Sequence, residues 1–351
     1  MQSKQDLDKI IQKSRVHFYK PIQIAEILFR FRKGEKIDPS DLESYRNVSK
    51  KWRDDVSKLL VGRVSTSSQK YQDNVFEKNA MPPILLRDLA EFNNKNNGLV
   101  ENYIYNNLRK RLSMVSEASD YLNKSGVDNF NMESLLSKFT KQAGLKRSID
   151  KVYEITVYAL FSTILRALKV EVSIEIKNND ESILKDFHSF IKLVLGLPKG
   201  KKSISIPAKF FRLGITNAAD TGLDMWANFG PAIQVKHISL SEEMAEDVAE
   251  NTYSDKVILV CLDGEKDVIK KIANQLGTKI QGVITVSDLK EWYSVCFSNK
   301  YKKTLGRNLI EDLKREFSAE FPLSNNINPF LKERGYDSGK LIGEWSLTEA
   351  I

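Results

Sequence analysis

The sequence predicts an α/β (α+β) protein, in which a core built on a mixed sheet follows a helical N-terminal region. Three observations carry that expectation. Residues 1–140 place apolar side chains at helical spacing. Residues 145–300 change character and alternate helical stretches with short β-patterned runs. Within them Val257-Ile258-Leu259-Val260-Cys261-Leu262 is continuously apolar, the mark of a buried central strand.

Along the chain, the first clear helix follows Pro21, a residue favoured in a first helical turn. Ile22, Ile24, Ala25, Ile27, Leu28 and Phe31 then make one apolar face. Asp38-Pro39-Ser40-Asp41 reads as a helix start, with helical periodicity over 42–60. The pattern breaks at Gly62-Arg63-Val64-Ser65-Thr66-Ser67-Ser68-Gln69-Lys70, which is polar, small and basic. Met81-Pro82-Pro83 restarts a helix through Phe92. After a loop at 93–98, a helix over 99–116 carries the basic cluster Arg109-Lys110-Arg111, expected to be a solvated helix end. Residues 149–168 form a long apolar helix, and 170–176 alternate at period 2 as a strand does. Asn178-Asn179-Asp180 turns the chain into a helix over 182–195. Further helices are expected at 241–251 and 266–276, a last strand at 282–286 leading into a helix at 287–293, and a helix at 304–317 before the tail. The expected organisation is a helical region at 1–140, a core at 141–300, and a C-terminal helix and tail at 301–351.

The 351 residues suffice for two domains or one elaborated domain. No apolar run approaches the ~20 residues of a membrane span, and the first residues lack the apolar stretch of an export signal. Cys261 and Cys296 are too few and too isolated for a disulfide framework or a zinc site. The expectation is a cytoplasmic protein with no membrane partner. A net charge of +8 favours a polyanionic partner, and residues 1–120 supply most of it, with 22 Lys and Arg against 16 Asp and Glu.

The segment from Thr221 to Lys236 concentrates the chemistry. It reads as two short strands joined by a turn at 228–231, with Asp224 opening the first and Gln234-Val235-Lys236 on the second. Alternation puts Gln234 and Lys236 on one strand face, and a hairpin would bring Asp224 into the same cleft. A carboxylate, an amide oxygen and an ammonium around one point suit a hard divalent cation working on a phosphodiester. Mg²⁺ keeps several waters, so Asp224, the Gln234 amide oxygen and the Val235 carbonyl are a sufficient expected ligand set. Lys236 would orient or help deprotonate the attacking water and neutralise the phosphate. The alternative is a polar edge hairpin without catalytic role.

Asp224 followed by Gln234-Val235-Lys236 resembles the PD-(D/E)xK nuclease superfamily, with Gln in place of the usual Glu. Asp220-Thr221-Gly222-Leu223-Asp224 before it is similar to the Mrr-like branch. The superfamily often adds an acid from the helix before the core sheet, and Glu154 stands in the matching place; a salt-bridged structural Glu is the competing reading. Asp220 is a turn residue or a second ligand. Residues 14–28 and Gly214-Ile215-Thr216-Asn217-Ala218-Ala219-Asp220 resemble the HaeII-type restriction endonucleases over roughly the whole chain. That resemblance implies Mg²⁺-dependent cleavage of duplex DNA at a short palindrome of the type RGCGCY. It also implies a homodimer matched to the palindrome and a cognate DNA methyltransferase as genetic companion. A modification-dependent or repair nuclease, or a DNA-binding protein that has lost catalysis, are the alternatives.

For DNA contact, Arg63, Ser65, Thr66, Ser67, Gln69 and Lys70 offer hydroxyls and cations suited to phosphates and base edges. Lys199, Lys201 and Lys202 would clamp the backbone. Trp226 and the 19–31 stripe are expected in the core. His237 is expected on the strand face opposite Lys236, and His17 and His188 have no partner pattern.

Overall fold

The computed structural model describes residues 1–65, 74–76, 80–213, 223–239, 241, 254–263 and 279–347. The chain forms two compact units, 1–156 with 310–347, and 157–213 with 223–309 among the described residues.

The first unit is helical. It holds α1 (Gln2–Lys13), α2 (Tyr19–Arg32), α3 (Leu42–Tyr45), α4 (Val48–Val61), α5 (Pro83–Lys95), α6 (Leu99–Lys124), α7 (Met132–Thr140) and the start of α8 (Ile149–Leu168). The expected face of α2 is buried at Ile22, Ile24, Ala25, Ile27 and Leu28. Each such aliphatic side chain withdrawn from water contributes about 1.5–3 kcal/mol. The helix expected over 42–60 is divided at Arg46 and Asn47, and Asn is a poor interior helix residue because its amide competes for backbone groups.

α6 runs well past the expected end at 116, because Val115, Ala118 and Leu122 continue its buried face. Arg109-Lys110-Arg111 is therefore not a helix end, and Arg111 is buried. Its guanidinium donates to the carbonyls of Ile11, Ser14 and Arg15 at the close of α1, and it lies over the Phe18 ring. Burial pushes its pKa down to about 10. A second buried charge, Glu101, accepts both forks of Arg32 at 2.9 and 2.7 Å and also bonds Tyr336 and Asn93. Such satisfaction is what a buried carboxylate requires.

The second unit carries the sheets. After α8 come β1 (Glu171–Glu175), the short helices α9 (Glu181–Asp186) and α10 (His188–Leu193), and β2 (Ser203–Pro207). The single helix expected over 182–195 is thus interrupted at Phe187. β1 and β2 pair antiparallel as a separate two-stranded sheet, with Val172 opposite Ile206 and Ile174 opposite Ile204. The main sheet is mixed, in the order β3 (Phe210–Arg212), β4 (Met225–Ala227), β5 (Ala232–Ser239), β6 (Val257–Leu262), β7 (Ile280–Ile284). β3, β4 and β5 run as an antiparallel meander, and β5, β6 and β7 are parallel. The apolar run of β6 is buried at Val257, Leu259, Val260 and Cys261, as expected of a central strand. β7 leads into α11 (Val286–Cys296) through a Thr285–Asp288 capping box. A π-helical turn at Lys302–Gly306 precedes α12 (Arg307–Glu320), and α13 (Ile327–Arg334) follows in the first unit. The helices expected at 241–251 and 266–276 lie outside the described residues. No helix among the described residues is long and apolar enough to cross a membrane.

Candidate active site

The hairpin expected around Asp224 is present as β4 and β5, with Met225 opposite Ile233 and Trp226 opposite Ala232. Its turn closes through Gly230 N–H donating to the Ala227 carbonyl at 3.1 Å and Ala227 N–H donating to Pro231 at 2.9 Å. Gly230 has φ +121°, a conformation that side-chain-bearing residues rarely adopt. Asn228 fixes the turn from below. Its Oδ1 accepts from Lys209 N–H at 2.8 Å, and its amide donates to the Pro207 carbonyl at 3.0 Å. Sequence reasoning missed this staple, although Asn opening a Pro/Gly turn is its usual signal.

Asp224 lies at the bend just before β4, where its N–H donates to the Ile233 carbonyl at 3.3 Å, beside the start of the Gln234-Val235-Lys236 motif. Asp224 Oδ2 accepts from the Val235 backbone N–H at 2.8 Å. The carboxylate is therefore held by the strand that carries the rest of the motif. Gln234 is buried, only 4% exposed, and its Oε1 has no hydrogen-bond partner among the described residues. A buried acceptor left in this state costs about 1–3 kcal/mol. An oxygen that gives up that much beside a carboxylate fits a cation, and Mg²⁺ accepts such neutral oxygen ligands. Among the described residues no three His, Cys, Asp or Glu side chains gather as a metal cluster. The candidate ligands named from the sequence are Asp224, the Gln234 amide and the Val235 carbonyl, and Asp220 lies outside the described residues.

Lys236 is half-buried on β5. Against β6 the register runs from Val235 opposite Val260 to Ser239 opposite Leu262, so β5 spends four residues where β6 spends two. Lys236 and His237 sit inside this bulge. The alternation that places Gln234 and Lys236 on one face belongs to a regular strand, and here the strand is irregular. Bulges re-aim side chains beside active sites.

Other expected residues fall elsewhere. Glu154 is buried on α8 in the first unit, and Lys151 Nζ donates to it at 2.5 Å. Arg63 donates to the Glu320 carbonyl at 3.1 Å, with its guanidinium 3.5 Å from the Glu320 carboxylate. Ser65 is half-buried, and Thr66, Ser67, Gln69 and Lys70 lie outside the described residues. Lys199 and Lys201 are exposed on the turn entering β2, and Lys202 donates to Asn179 at 2.9 Å. These lysines open the separate two-stranded sheet, with β2 and β3 between them and Asp224. Trp226 is not core. It is 41% exposed and stacks on Phe211 of β3 with ring centroids 4.7 Å apart, while its neighbours Met225 and Ala227 point inward. His17 is stacked between Tyr19 and Phe321, and burial lowers its pKa, which suits a structural imidazole rather than a proton carrier.

Comparison with known proteins follows the same direction. A sequence model of the HaeII restriction endonuclease family matches residues 3–336. The chain belongs to that family, one of site-specific deoxyribonucleases. It is 47% identical over 339 residues to the Type II restriction enzyme HaeII of Haemophilus aegyptius, covering 95% of this chain and 96% of the relative. It is 45% identical over 341 residues to the Type II restriction enzyme NgoBI of Neisseria gonorrhoeae, covering 96% and 97%. No solved structure matches the chain.

Proposed function

We propose that the chain is a type II restriction endonuclease hydrolysing phosphodiester bonds of duplex DNA at a short palindrome of the type RGCGCY, with Mg²⁺ held at the β4–β5 hairpin. One observation supports this choice of site: Asp224 is held by the N–H of Val235, the next residue after Gln234 with its buried and unsatisfied Oε1. In this reading the core is of the PD-(D/E)xK type. The order helix, antiparallel meander, two parallel strands and closing helix supports it.

Asp224, Gln234 Oε1 and the Val235 carbonyl would hold the metal. Bound there, Mg²⁺ supplies a water that is nucleophilic near neutral pH and offsets charge growing on the phosphate. One carboxylate oxygen of Asp224 is held by a main-chain N–H, that of Val235. Lys236 holds the scissile phosphate and orients the attacking water. Arg63, Ser65, Thr66, Ser67, Gln69, Lys70, Lys199, Lys201 and Lys202 contact DNA, and products carry 5′-phosphates. A homodimer matches the two-fold palindrome, and a cognate methyltransferase protects host sites.

The experiment is a plasmid digest with mapped ends, run beside DNA binding. Asp224→Ala and Lys236→Ala are expected to bind duplex DNA within a few-fold of the parent and to lose more than about 100-fold in cleavage. Full cleavage by either variant would sink the site. Gln where a second carboxylate usually stands favours one other reading, a DNA-binding protein without catalysis, and absence of any metal-dependent cleavage by the parent chain would select it.

A further inference from the structure

The stretch from Leu168 to Pro207 is built like an element that lacks its other half. It comprises the β1–β2 ribbon with α9 and α10, and neither helix has a buried residue. On α9, α10 and the residues flanking α10, Ile183, Phe187, Phe190, Leu193 and Val194 are all exposed, Leu193 by 80% and Phe187 by 59%. The ribbon adds its own apolar face. Val172 opposite Ile206 and Ile174 opposite Ile204 share one side, while Ser173, Ser205, Glu171 and Glu175 take the other. Ile174 and Ile206 remain more than a third exposed on the apolar side.

Nine of the twenty large hydrophobic residues exposed among the described residues lie in these forty positions. At roughly 200 Å² for a wholly exposed side chain of this size, they leave on the order of 900 Å² of apolar surface in water. The largest apolar patch on an ordinary monomer is about 300–600 Å². A stable protein–protein interface buries about 800 Å² on each partner. Summed over the forty residues, the exposed apolar area matches what one side of a dimer buries.

We infer that residues 168–207 form the surface through which two copies of this chain associate. A second copy is the occupant that the chemistry selects. Ahead of the turn that carries Lys199, Lys201 and Lys202, residues 168–198 hold four Lys against five Asp and Glu, a near-neutral stretch in a chain of net charge +8. A two-fold interface joins a patch to itself, and an apolar patch with mixed, near-neutral charge is self-compatible. This inference is independent of the metal chemistry at Asp224.

The test is the mass of the full chain in solution without DNA, measured by sedimentation at micromolar concentration. The parent is expected to be a dimer, and the double variant Phe190→Ser/Leu193→Ser a monomer, its dissociation constant raised at least 100-fold. Both positions are exposed, so circular dichroism of the variant should match the parent. Hydrogen exchange on the unsubstituted chain provides a measure that no folding defect can confuse. Backbone protection over 181–194 should rise between nanomolar and micromolar protein. A monomeric parent, a dimeric double variant, or protection that ignores concentration would each overturn the inference. A monomeric parent that still cuts DNA through Asp224 would reject the surface while leaving the nuclease reading intact.

Discussion

Gln234 occupies the one position where local stability and the proposed chemistry make opposite demands. An amide oxygen with no partner, 4% exposed, is a standing cost to the fold. Replacing it by Leu, of similar volume, removes the unsatisfied acceptor. Gln234→Leu is therefore expected to hold its melting temperature or gain up to about 1 kcal/mol, while cleavage falls with the metal. Gln234→Glu puts a second carboxylate on the residue before Val235, whose N–H holds Asp224, and neighbouring like charges raise one of the two pKa values. It should be less stable than the parent without metal and more strongly stabilised by added Mg²⁺, read as the melting-temperature shift on titration. Unimpaired cleavage by Gln234→Leu would remove the residue from the site. The sequence named this pair because Asp224 and Gln-x-Lys are local and strongly typed. It did not reveal the Asp224–Val235 bond, which depends on the bend that carries Asp224 into β4, or the bulge at Lys236, which depends on how β5 is registered against β6, some twenty residues further on.

At the scale of elements, legibility followed the strength of local periodicity. Helix α8 was read to the residue, and β6 was read whole, because each is a long apolar pattern of one period. α9 and α10 were merged because a short interruption at Phe187 leaves no Gly or Pro to mark it. The clearest misreading was Arg109-Lys110-Arg111, where composition suggested a wet helix end. Charge is exposed by default, and only tertiary contact with α1 explains why one of the three goes inside. That contact predicts an outcome. Arg111 ties α6 to the last carbonyls of α1 and covers Phe18. Arg111→Ala should destabilise by about 3 kcal/mol, the range for breaking a buried charged contact. Arg111→Lys should recover little of this, since a single ammonium cannot span carbonyls served by a planar fork. Glu117→Ala, exposed on the same helix, is the control and should lie within about 0.5 kcal/mol of the parent in urea unfolding. An Arg111→Ala variant as stable as Glu117→Ala would show that Arg111 is surface after all.

For the whole molecule, the fold class was legible and the grouping of segments was not. Residues 310–347 belong to the same unit as the N-terminal helices, and a unit assembled from distant stretches leaves no boundary signal in composition. Net charge, by contrast, is a global property that the sequence states outright, and it bears on DNA binding independently of the active site. If Lys and Arg neutralise phosphates, each contact releases a counterion, and log K falls with log salt at a slope of about −0.9 per contact. Binding by Asp224→Ala, which cannot cut, should then weaken by about 10³–10⁵ between 50 and 200 mM salt for 6–10 contacts. Lys199 and Lys201 are exposed at the entrance to β2, whereas Lys202 is already engaged with Asn179. Replacing the first two by Ala in the Asp224→Ala background should therefore reduce the slope by about 2, and replacing Lys202 by Ala should change it less. The contrast separates a phosphate clamp from general basicity. Diffuse charge would lose the same small increment at all three lysines, and a slope unaltered by the double substitution would remove this turn from the DNA interface.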